Sequence, residues 1–259
     1  MKQVDIVITT YNRLSFLKLV FECIESQNEP DHYKYIIADA GSTDGTQEYL
    51  HKKFTNKNNN VLLLHSNKGK PMPLQDVWQM CLPAIEHSIA KEFVMCDDDV
   101  LCYGKNFIQE LRSAMYEYDY DVLAPRSPNI TQPSLDRKPY SVDRGVIVKP
   151  NLMGTHYRLH KKEKMLDSIQ RTFNPKGIIR DNIETNLFKK IIGNGCKVGF
   201  YLPLPVFDIG DLGQSYMSKK PLPDDNPQIK NAKEFLNTGW SHLYGPEKIL
   251  EWDRIRGIK

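Results

Sequence analysis

The first half of the chain alternates between two kinds of hydrophobic pattern. Short apolar runs typical of buried strands are separated by longer segments in which apolar residues recur at helical spacing. The predicted strands are Val4–Thr10, Tyr35–Ala38, Val61–His65 and Glu92–Cys96, and the predicted helices are Leu14–Gln27, Asp44–Phe54 and Pro73–Ala90. This alternation predicts an α/β fold, with a mainly parallel, Rossmann-like sheet and helices on both of its faces.

The second half is less regular. Its predicted strands are Asp121–Ala124, Gly145–Val148 and Lys197–Tyr201, and its predicted helices are Leu159–Arg171 and Ile183–Ile192. The proline-rich segment Lys219–Gln228 is typical of a linker, and it is followed by short helical patterns at Ile229–Asn237 and Glu247–Arg256. We therefore expect a short helical C-terminal extension after the main domain.

Composition and charge narrow the possible functions. Apolar residues make up 40% of the chain, which indicates a globular core, and the net charge of +3 is too small to indicate a nucleic-acid-binding protein. It is compatible with anionic small molecules or with peripheral contact to an acidic membrane surface. The five cysteines are scattered without a C-x-x-C pair, and the chain opens on a predicted strand in place of a signal peptide. With no apolar run of membrane-spanning length, we expect a cytoplasmic protein whose cysteines are mostly small buried residues.

Three polar clusters follow predicted strands. They are Thr9–Asn12 within TTYNR, Asp39 at the start of DAGSTDGT, and the acidic run Asp97–Asp99. In a doubly wound sheet, ligands bind in the crevice beyond the carboxyl ends of the strands. We therefore expect all three clusters to face one ligand.

The acidic run predicts a metal site. Three consecutive carboxylates repel one another unless a cation offsets their charge, and Mg²⁺ or Mn²⁺ binds carboxylates together with phosphate oxygens. The alternative is a solvated acidic loop that caps the helix near Lys105. The position directly after a buried strand favours the metal.

The other polar segments suggest how a nucleotide is held. Asp39 could accept a hydrogen bond from a ribose hydroxyl or a base N–H, or it could be only a turn residue. Asp44 and Gln47 fit a capping box for the following helix. The chain has no Walker-type loop, and Gly193–Gly199 is typical of a helix C-cap, so phosphate contacts fall to the metal and to basic side chains. The nearest candidates are Lys68 and Lys70, which could instead be simply exposed.

TTYNR, DAGSTDGT and DDD, in this order and spacing, resemble the family-2 glycosyltransferases with the GT-A fold. The resemblance covers residues 3–215. It implies a GT-A domain at 1–215, with a nucleotide-sugar donor half at 1–100 and an acceptor half at 101–215, followed by the linker and extension at 216–259. The roles implied for the donor half are base and ribose contacts from Thr9, Tyr11 and Asp39, a ribose or metal contact from Asp98, and metal ligands at Asp99 and Asp97.

The resemblance also implies sites in the acceptor half. Gly154–Leu166 would shape the acceptor pocket, and Glu184 would be the catalytic base. Asp181, one helical turn earlier, is the alternative base or a helix cap. Asp208 or Asp211 would complete the metal shell, with His156 and His242 as further candidates.

The function implied is a metal-dependent, inverting transfer of a sugar from a nucleotide-diphosphate sugar, with UDP favoured, to a hydroxyl of a glycan or other acceptor. Mn²⁺ or Mg²⁺ would be the cofactor. Two alternatives remain: a GT-A-like protein that binds a nucleotide or glycan without turnover, and a nucleotidyltransferase. The latter class usually has a glycine-rich basic loop after its first strand, and TTYNR is not such a loop.

Overall fold

The computed structural model describes residues 3–28, 32–55, 61–65, 74–125, 141–143, 146–148, 157–172, 189–201, 203–204, 206–209 and 227–238. The strands are β1 Val4–Thr10, β2 Tyr33–Asp39, β3 Val61–His65, β4 Glu92–Asp97, β5 Val100–Cys102, β6 Val122–Pro125, β7 Ser141–Asp143, β8 Val146–Val148, β9 Tyr157–Lys161, β10 Val198–Tyr201 and β11 Val206–Asp208. The helices are α1 Leu14–Glu25, α2 Thr46–Phe54, α3 Leu74–His87, α4 Phe107–Glu117, α5 Lys162–Thr172 and α6 Pro227–Thr238. Residues 189–193 are also helical.

Nine of the described strands form one sheet in the order β3-β2-β1-β4-β9-β6-β10-β8-β7. Neighbours from β3 to β4 are parallel, and β10 is parallel to β6. Strand β9 runs antiparallel to both β4 and β6. The remaining pair, β5 and β11, forms a small antiparallel sheet beside the acidic run. The predicted α/β architecture with a mainly parallel sheet is confirmed.

Alternating residues of the strands feed two cores, one on each face of the sheet. Ile6 and Ile8 of β1 belong to the core covered by α1, α2 and α4. Val7 belongs to the opposite core, which α3 and α5 cover. A strand that is buried on both faces usually has a continuous run of apolar residues, and this explains the sequence of β1.

The C-terminal extension contributes to the first of these cores. Phe235 of α6 is fully buried and stacks on Phe207, with ring centroids 5.2 Å apart, and Ile229 is also buried. Helix α6 begins at Pro227, so the last two residues of the predicted linker are helical. The helical pattern predicted at Glu247–Arg256 lies outside the described residues.

One predicted element is wrong in type. Residues 159–161 were expected to begin a helix, but they form the end of β9, and the helix starts at Lys162. Arg158 and His160 are polar, so β9 lacks the apolar run of a buried strand, yet both side chains are enclosed at 1% and 0% exposure. These residues form a strand because neighbouring elements bury them, and the local sequence pattern carries no information about that burial.

Two further expectations concern cysteines and membranes. All five cysteines are free and buried, as predicted. Burial raises the pKa of the Cys81 thiol to about 12, so this thiol stays protonated at neutral pH. Among the described helices, none combines the length and apolar character that crossing a bilayer would need.

Candidate functional site

The carboxyl ends of the first four strands lie side by side. Thr10 pairs with Asp39, and Asp39 pairs with His65 on β3. On the other side of β1, Thr9 pairs with Asp97. The predicted polar clusters therefore share one edge of the sheet. His65, which no sequence motif had singled out, belongs to the same row.

Asp39 is fully buried and already holds several hydrogen-bond donors. Its carboxylate accepts bonds from the Ser42 backbone N–H, the Ser42 hydroxyl and the Gln47 amide, whose Nε2 lies 2.6 Å from Oδ2. Nδ1 of His65 lies 3.6 Å from the same oxygen. The donors from Ser42 and Gln47 satisfy the buried carboxylate oxygens at this strand end.

The capping box predicted from Asp44 and Gln47 is wrong, because Gln47 reaches Asp39 instead. Asp44 still caps helix ends: Oδ1 accepts a bond from the Thr46 N–H at 3.1 Å, and Oδ2 accepts one from the Leu14 N–H at 3.0 Å. A single carboxylate therefore satisfies free N–H groups at the starts of both α1 and α2.

The turn after β1 is bonded to the DAGSTDGT loop on both of its sides. The Asn12 N–H donates to Oγ of Ser42 at 2.8 Å, and Oδ1 of Asn12 accepts a bond from the Thr43 N–H at 2.7 Å. Asn12 has a φ of 51°, a conformation that Asn tolerates better than most residues. Gly45, at φ 91°, permits the matching bend in the partner loop. TTYNR and DAGSTDGT therefore form one unit.

Two of the three residues of the acidic run are buried rather than solvated. Asp98 and Asp99 are 4% and 6% exposed, so the alternative of a solvated acidic loop is wrong for these two residues. Their charge is offset by Arg13: its Nη1 lies 3.4 Å from Oδ1 of Asp98 and closer still to Oδ2 of Asp99. Arg13 ends the TTYNR motif, and its position after a strand end was the only sequence signal for this contact.

Burial and charge oppose each other within this cluster. Burial raises the pKa of Asp98, and the neighbouring Arg13 lowers it. Burial alone would lower the pKa of Arg13, but the three aspartates of the acidic run raise it above the ordinary value, so the guanidinium stays charged. The second oxygen of Asp98, Oδ2, is buried and has no hydrogen-bond partner among the described residues.

The small sheet brings the predicted Asp208 next to the acidic run. The Asp208 backbone pairs with Val100, and the N–H of Ile209 donates to the Asp99 carbonyl at 2.8 Å. Across the described residues, no group of three or more His, Cys, Asp or Glu side chains is arranged as a metal centre. The oxygen-rich donor set and the unpartnered Asp98 oxygen nevertheless fit a hard divalent cation such as Mg²⁺ or Mn²⁺.

The sequence of this chain matches the family described as Glycosyl transferase family 2 over residues 5–188. The chain belongs to this family. Among curated proteins, none matches the sequence.

Solved structures of glycosyltransferases share the fold of this family-2 chain. S. aureus TarS aligns with a TM-score of 0.55 at 14% identity, over 76% of this chain but only 35% of the TarS chain. Its 1–349 form in complex with UDP-GlcNAc gives 0.59 at 13% identity, covering 98% of this chain and 70% of that one. Mannosyltransferase PcManGT from Pyrobaculum calidifontis, in complex with GDP-Man and Mn²⁺, gives 0.55 at 14% identity, covering 98% and 74%. These likenesses confirm the expected GT-A fold.

Several site residues expected in a family-2 enzyme remain predictions. Thr9 and Tyr11 lie at the expected strand end but are 6% and 8% exposed, and Tyr11 packs in the core that α3 covers. The side chain of Asp208 is not described. The remaining predicted site residues lie outside the described residues; they are Lys68, Lys70, His156, Asp181, Glu184, Asp211 and His242.

Proposed function

We propose that this chain is a metal-dependent, inverting glycosyltransferase that moves a sugar from a nucleotide-diphosphate sugar to a hydroxyl of a glycan or other acceptor. The observation that carries this proposal is the buried pair Asp98–Asp99 at the end of β4, beside the strand ends that present Thr9 and Asp39. The single positive charge of Arg13 cannot balance the acidic run together with a donor diphosphate, and a divalent cation would supply the missing charge.

The metal would be held by Asp99, with Asp97, Asp98 and Asp208 as further oxygen ligands. Bound Mn²⁺ or Mg²⁺ would neutralise the negative charge that builds on the leaving diphosphate. The neighbour solved with GDP-Man and Mn²⁺ supports a divalent cation in this fold. Lys68 and Lys70 would add positive charge near the same phosphates.

The nucleoside would lie against the ends of β1 and β2, with Thr9, Tyr11 and Asp39 as its contacts. Solved neighbours bind UDP-GlcNAc and GDP-Man, so a nucleotide-sugar donor is supported, and we favour a UDP-sugar. The buried carboxylate of Asp39 already accepts hydrogen bonds from Ser42 and from the Gln47 amide, so a base or ribose donor would compete with these donors for its oxygens. A flexible, half-buried side chain can make such an exchange without unfolding the loop.

Inversion requires one positioned base in the acceptor half. We assign it to Glu184, with Asp181 as the alternative one helical turn earlier. The carboxylate would take the proton of the acceptor hydroxyl as the oxygen attacks the anomeric carbon from the face opposite the leaving diphosphate. A membrane-associated acceptor would be compatible with peripheral contact by a chain of net charge +3.

A donor-hydrolysis and transfer assay tests the proposal. A panel of nucleotide sugars is incubated with the protein in Mn²⁺, in Mg²⁺ and in EDTA, and release of the nucleoside diphosphate is followed. Release that occurs only with metal supports a glycosyltransferase. Nucleotide binding without release supports the binding protein, and release of pyrophosphate from a nucleoside triphosphate and a sugar phosphate supports the nucleotidyltransferase.

A further inference from the structure

Arg13 has no part in the function proposed above, although it is enclosed with the carboxylates of the acidic run. The side chains of Arg13, Asp98 and Asp99 are only 14%, 5% and 9% exposed. Water and salt therefore screen the three charges far less than they would on the surface. Two adjacent carboxylates repel each other strongly in such a place unless a cation lies against them.

The backbone of Arg13 is fixed on both sides. Before it, the Asn12 N–H is bonded to Ser42, and after it, the Leu14 N–H is bonded to the Asp44 carboxylate at 3.0 Å. The guanidinium also lies over the Phe16 ring, with Cζ 5.9 Å from the centroid. The turn that contains Arg13 is therefore held beside the acidic run by hydrogen bonds to the separate loop that follows Asp39.

The contact between Arg13 and Asp99 occupies one of the two carboxylate oxygens that Asp99 could offer a metal. Oδ2 of Asp99 receives Nη1 of Arg13, while Oδ2 of Asp98 is buried without a hydrogen-bond partner in the described part of the chain. A second cation arriving here meets one oxygen that is available and one that is already occupied.

We propose that Arg13 is the resident counter-cation of the acidic run, and that a divalent metal must displace its guanidinium from Asp99 in order to bind. Arg13 is then a positioning residue: it holds the Asp98 and Asp99 side chains in place until the metal arrives, and it weakens metal binding in the absence of nucleotide. This inference rests on the proposed function, because it takes Asp99 as a metal ligand. If Arg13 had a purely structural role, its loss would leave metal affinity unchanged or lower it. If Arg13 is a counter-cation, its loss should raise metal affinity.

The test measures the affinity of Mn²⁺ alone, without nucleotide, by the loss of the free-ion electron paramagnetic resonance signal. In the wild-type protein, Mn²⁺ can bind Asp99 at Oδ2 only after the hydrogen bond from Arg13 is broken. Arg13→Met removes this competing cation, so the variant has no such bond to break. We therefore expect Arg13→Met to bind Mn²⁺ about 10- to 100-fold more tightly. In EDTA the same variant should melt about 5 °C or more below the wild type, and saturating Mn²⁺ should restore most of this difference.

Arg112 offers a matched control. Its Nη2 lies 3.2 Å from Oε2 of Glu92, a fully buried carboxylate at the opposite end of β4. Arg112→Met should also lower the melting temperature, because it leaves a buried carboxylate without its arginine. It should leave the Mn²⁺ affinity unchanged, and Mn²⁺ should not restore its stability.

A measurement on the wild type covers the case in which Arg13→Met does not fold. Titration with diamagnetic Mg²⁺ is followed through the arginine Nε–Hε resonances in nuclear magnetic resonance spectra. The Arg13 resonance should shift and exchange faster with solvent, while that of Arg112 should not move.

The outcomes separate the two proposals. Equal or weaker Mn²⁺ affinity in Arg13→Met, or an unmoved Arg13 resonance on Mg²⁺ binding, overturns the counter-cation while leaving metal-dependent transfer standing. Absence of Mn²⁺ binding in every form overturns both.

Discussion

The two halves of the nine-stranded sheet, one on each side of the boundary between β4 and β9, place their polar residues differently. On the half formed by β3, β2, β1 and β4, which we call the parallel side, His65, Asp39 and Thr10 lie in one row where the strands end, and the buried Asp5 and Glu92 lie near the strand starts. On the other side, β9 runs against both of its neighbours and buries Arg158 and His160 within the strand itself. Position along the strand, not polarity, separates the two groups.

This difference indicates what each group can do. Side chains at the ends of parallel strands face the crevice in which ligands bind, so their charges can be exchanged for those of a ligand. Polar groups within β9 are enclosed by protein, and their ionisation acts on the stability of the fold. We therefore expect changes on the parallel side to alter donor binding and turnover, and changes in β9 to alter stability and its pH dependence.

The largest effect is expected from the proposed base in the acceptor half. Glu184→Gln should lower turnover about 100- to 10,000-fold, the usual range for loss of a general base. Affinity for the nucleotide sugar should hardly change, because donor contacts come from the parallel side. Steady-state kinetics and calorimetric titration of the donor measure the two quantities.

Asp181→Asn is the comparison variant for Glu184. If Asp181 only caps the helix, its replacement should lower the free energy of unfolding by about 1 kcal/mol and spare turnover. If Asp181→Asn loses turnover while Glu184→Gln stays fully active, the base is Asp181, one helical turn earlier.

The next effect concerns the end of β4. Asp99→Asn removes a charged oxygen ligand, and we expect turnover to fall about 1,000-fold, which corresponds to about 4 kcal/mol of transition-state stabilisation. Asp119→Asn is a matched control, because Asp119 lies on the surface with its side chain 73% exposed and has a φ of 54° that Asn accepts. Similar losses of turnover in both variants would show that the acidic run has no specific part in the reaction.

A smaller effect is expected at the end of β2. Asp39→Ala should weaken the affinity for the nucleoside diphosphate about 10- to 100-fold, since a hydrogen bond to a charged group contributes about 1.5–3 kcal/mol. Gln47→Ala removes one competing hydrogen-bond donor to this carboxylate and should leave the affinity equal or slightly tighter. If calorimetry gives Asp39→Ala the wild-type affinity, Asp39 acts only as a turn residue.

The smallest effect belongs to β9. Burial, together with the positive charge of Arg158, lowers the pKa of His160 well below its ordinary value, so the folded protein keeps this ring neutral. The unfolded chain takes up a proton near pH 6.5, so the stability from the neutral ring is complete above that pH and is lost as the pH falls, by about 1.4 kcal/mol per unit.

His160→Phe tests this slope. The ring stacks on Phe93 with centroids 4.8 Å apart, and its nitrogens have no hydrogen-bond partner among the described residues, so phenylalanine can take its place. Urea unfolding between pH 7 and pH 5 should show a shallower loss of stability in the variant. Identical slopes would mean that His160 titrates normally in the folded state.

The sequence allowed the parallel side to be predicted almost completely. Its strands are continuous apolar runs that end in polar residues, so both their type and their shared edge follow from local pattern and from the geometry of parallel sheets. Strand β9 could not be predicted in this way, because Arg158 and His160 interrupt its apolar pattern and only the surrounding strands bury them.

The site was predictable to a lesser extent. The acidic run and Asp39 stand out because their residue types are unusual after a buried strand. The contact of Arg13 with Asp98 joins residues 85 positions apart, and the bond from Gln47 to Asp39 replaces a local cap that the sequence favoured. Such partners are chosen by the tertiary fold, which spacing along the chain does not encode.

The most direct test of the proposed function is calorimetric titration of the protein with UDP and with GDP, in Mn²⁺ and in EDTA. If the strand ends of the parallel side hold a metal that carries the donor diphosphate, Mn²⁺ should tighten the binding of at least one of these nucleotides about 10-fold or more, and Asp99→Asn should abolish that gain. Equal affinity in Mn²⁺ and in EDTA for the wild-type protein would contradict a metal-dependent donor site.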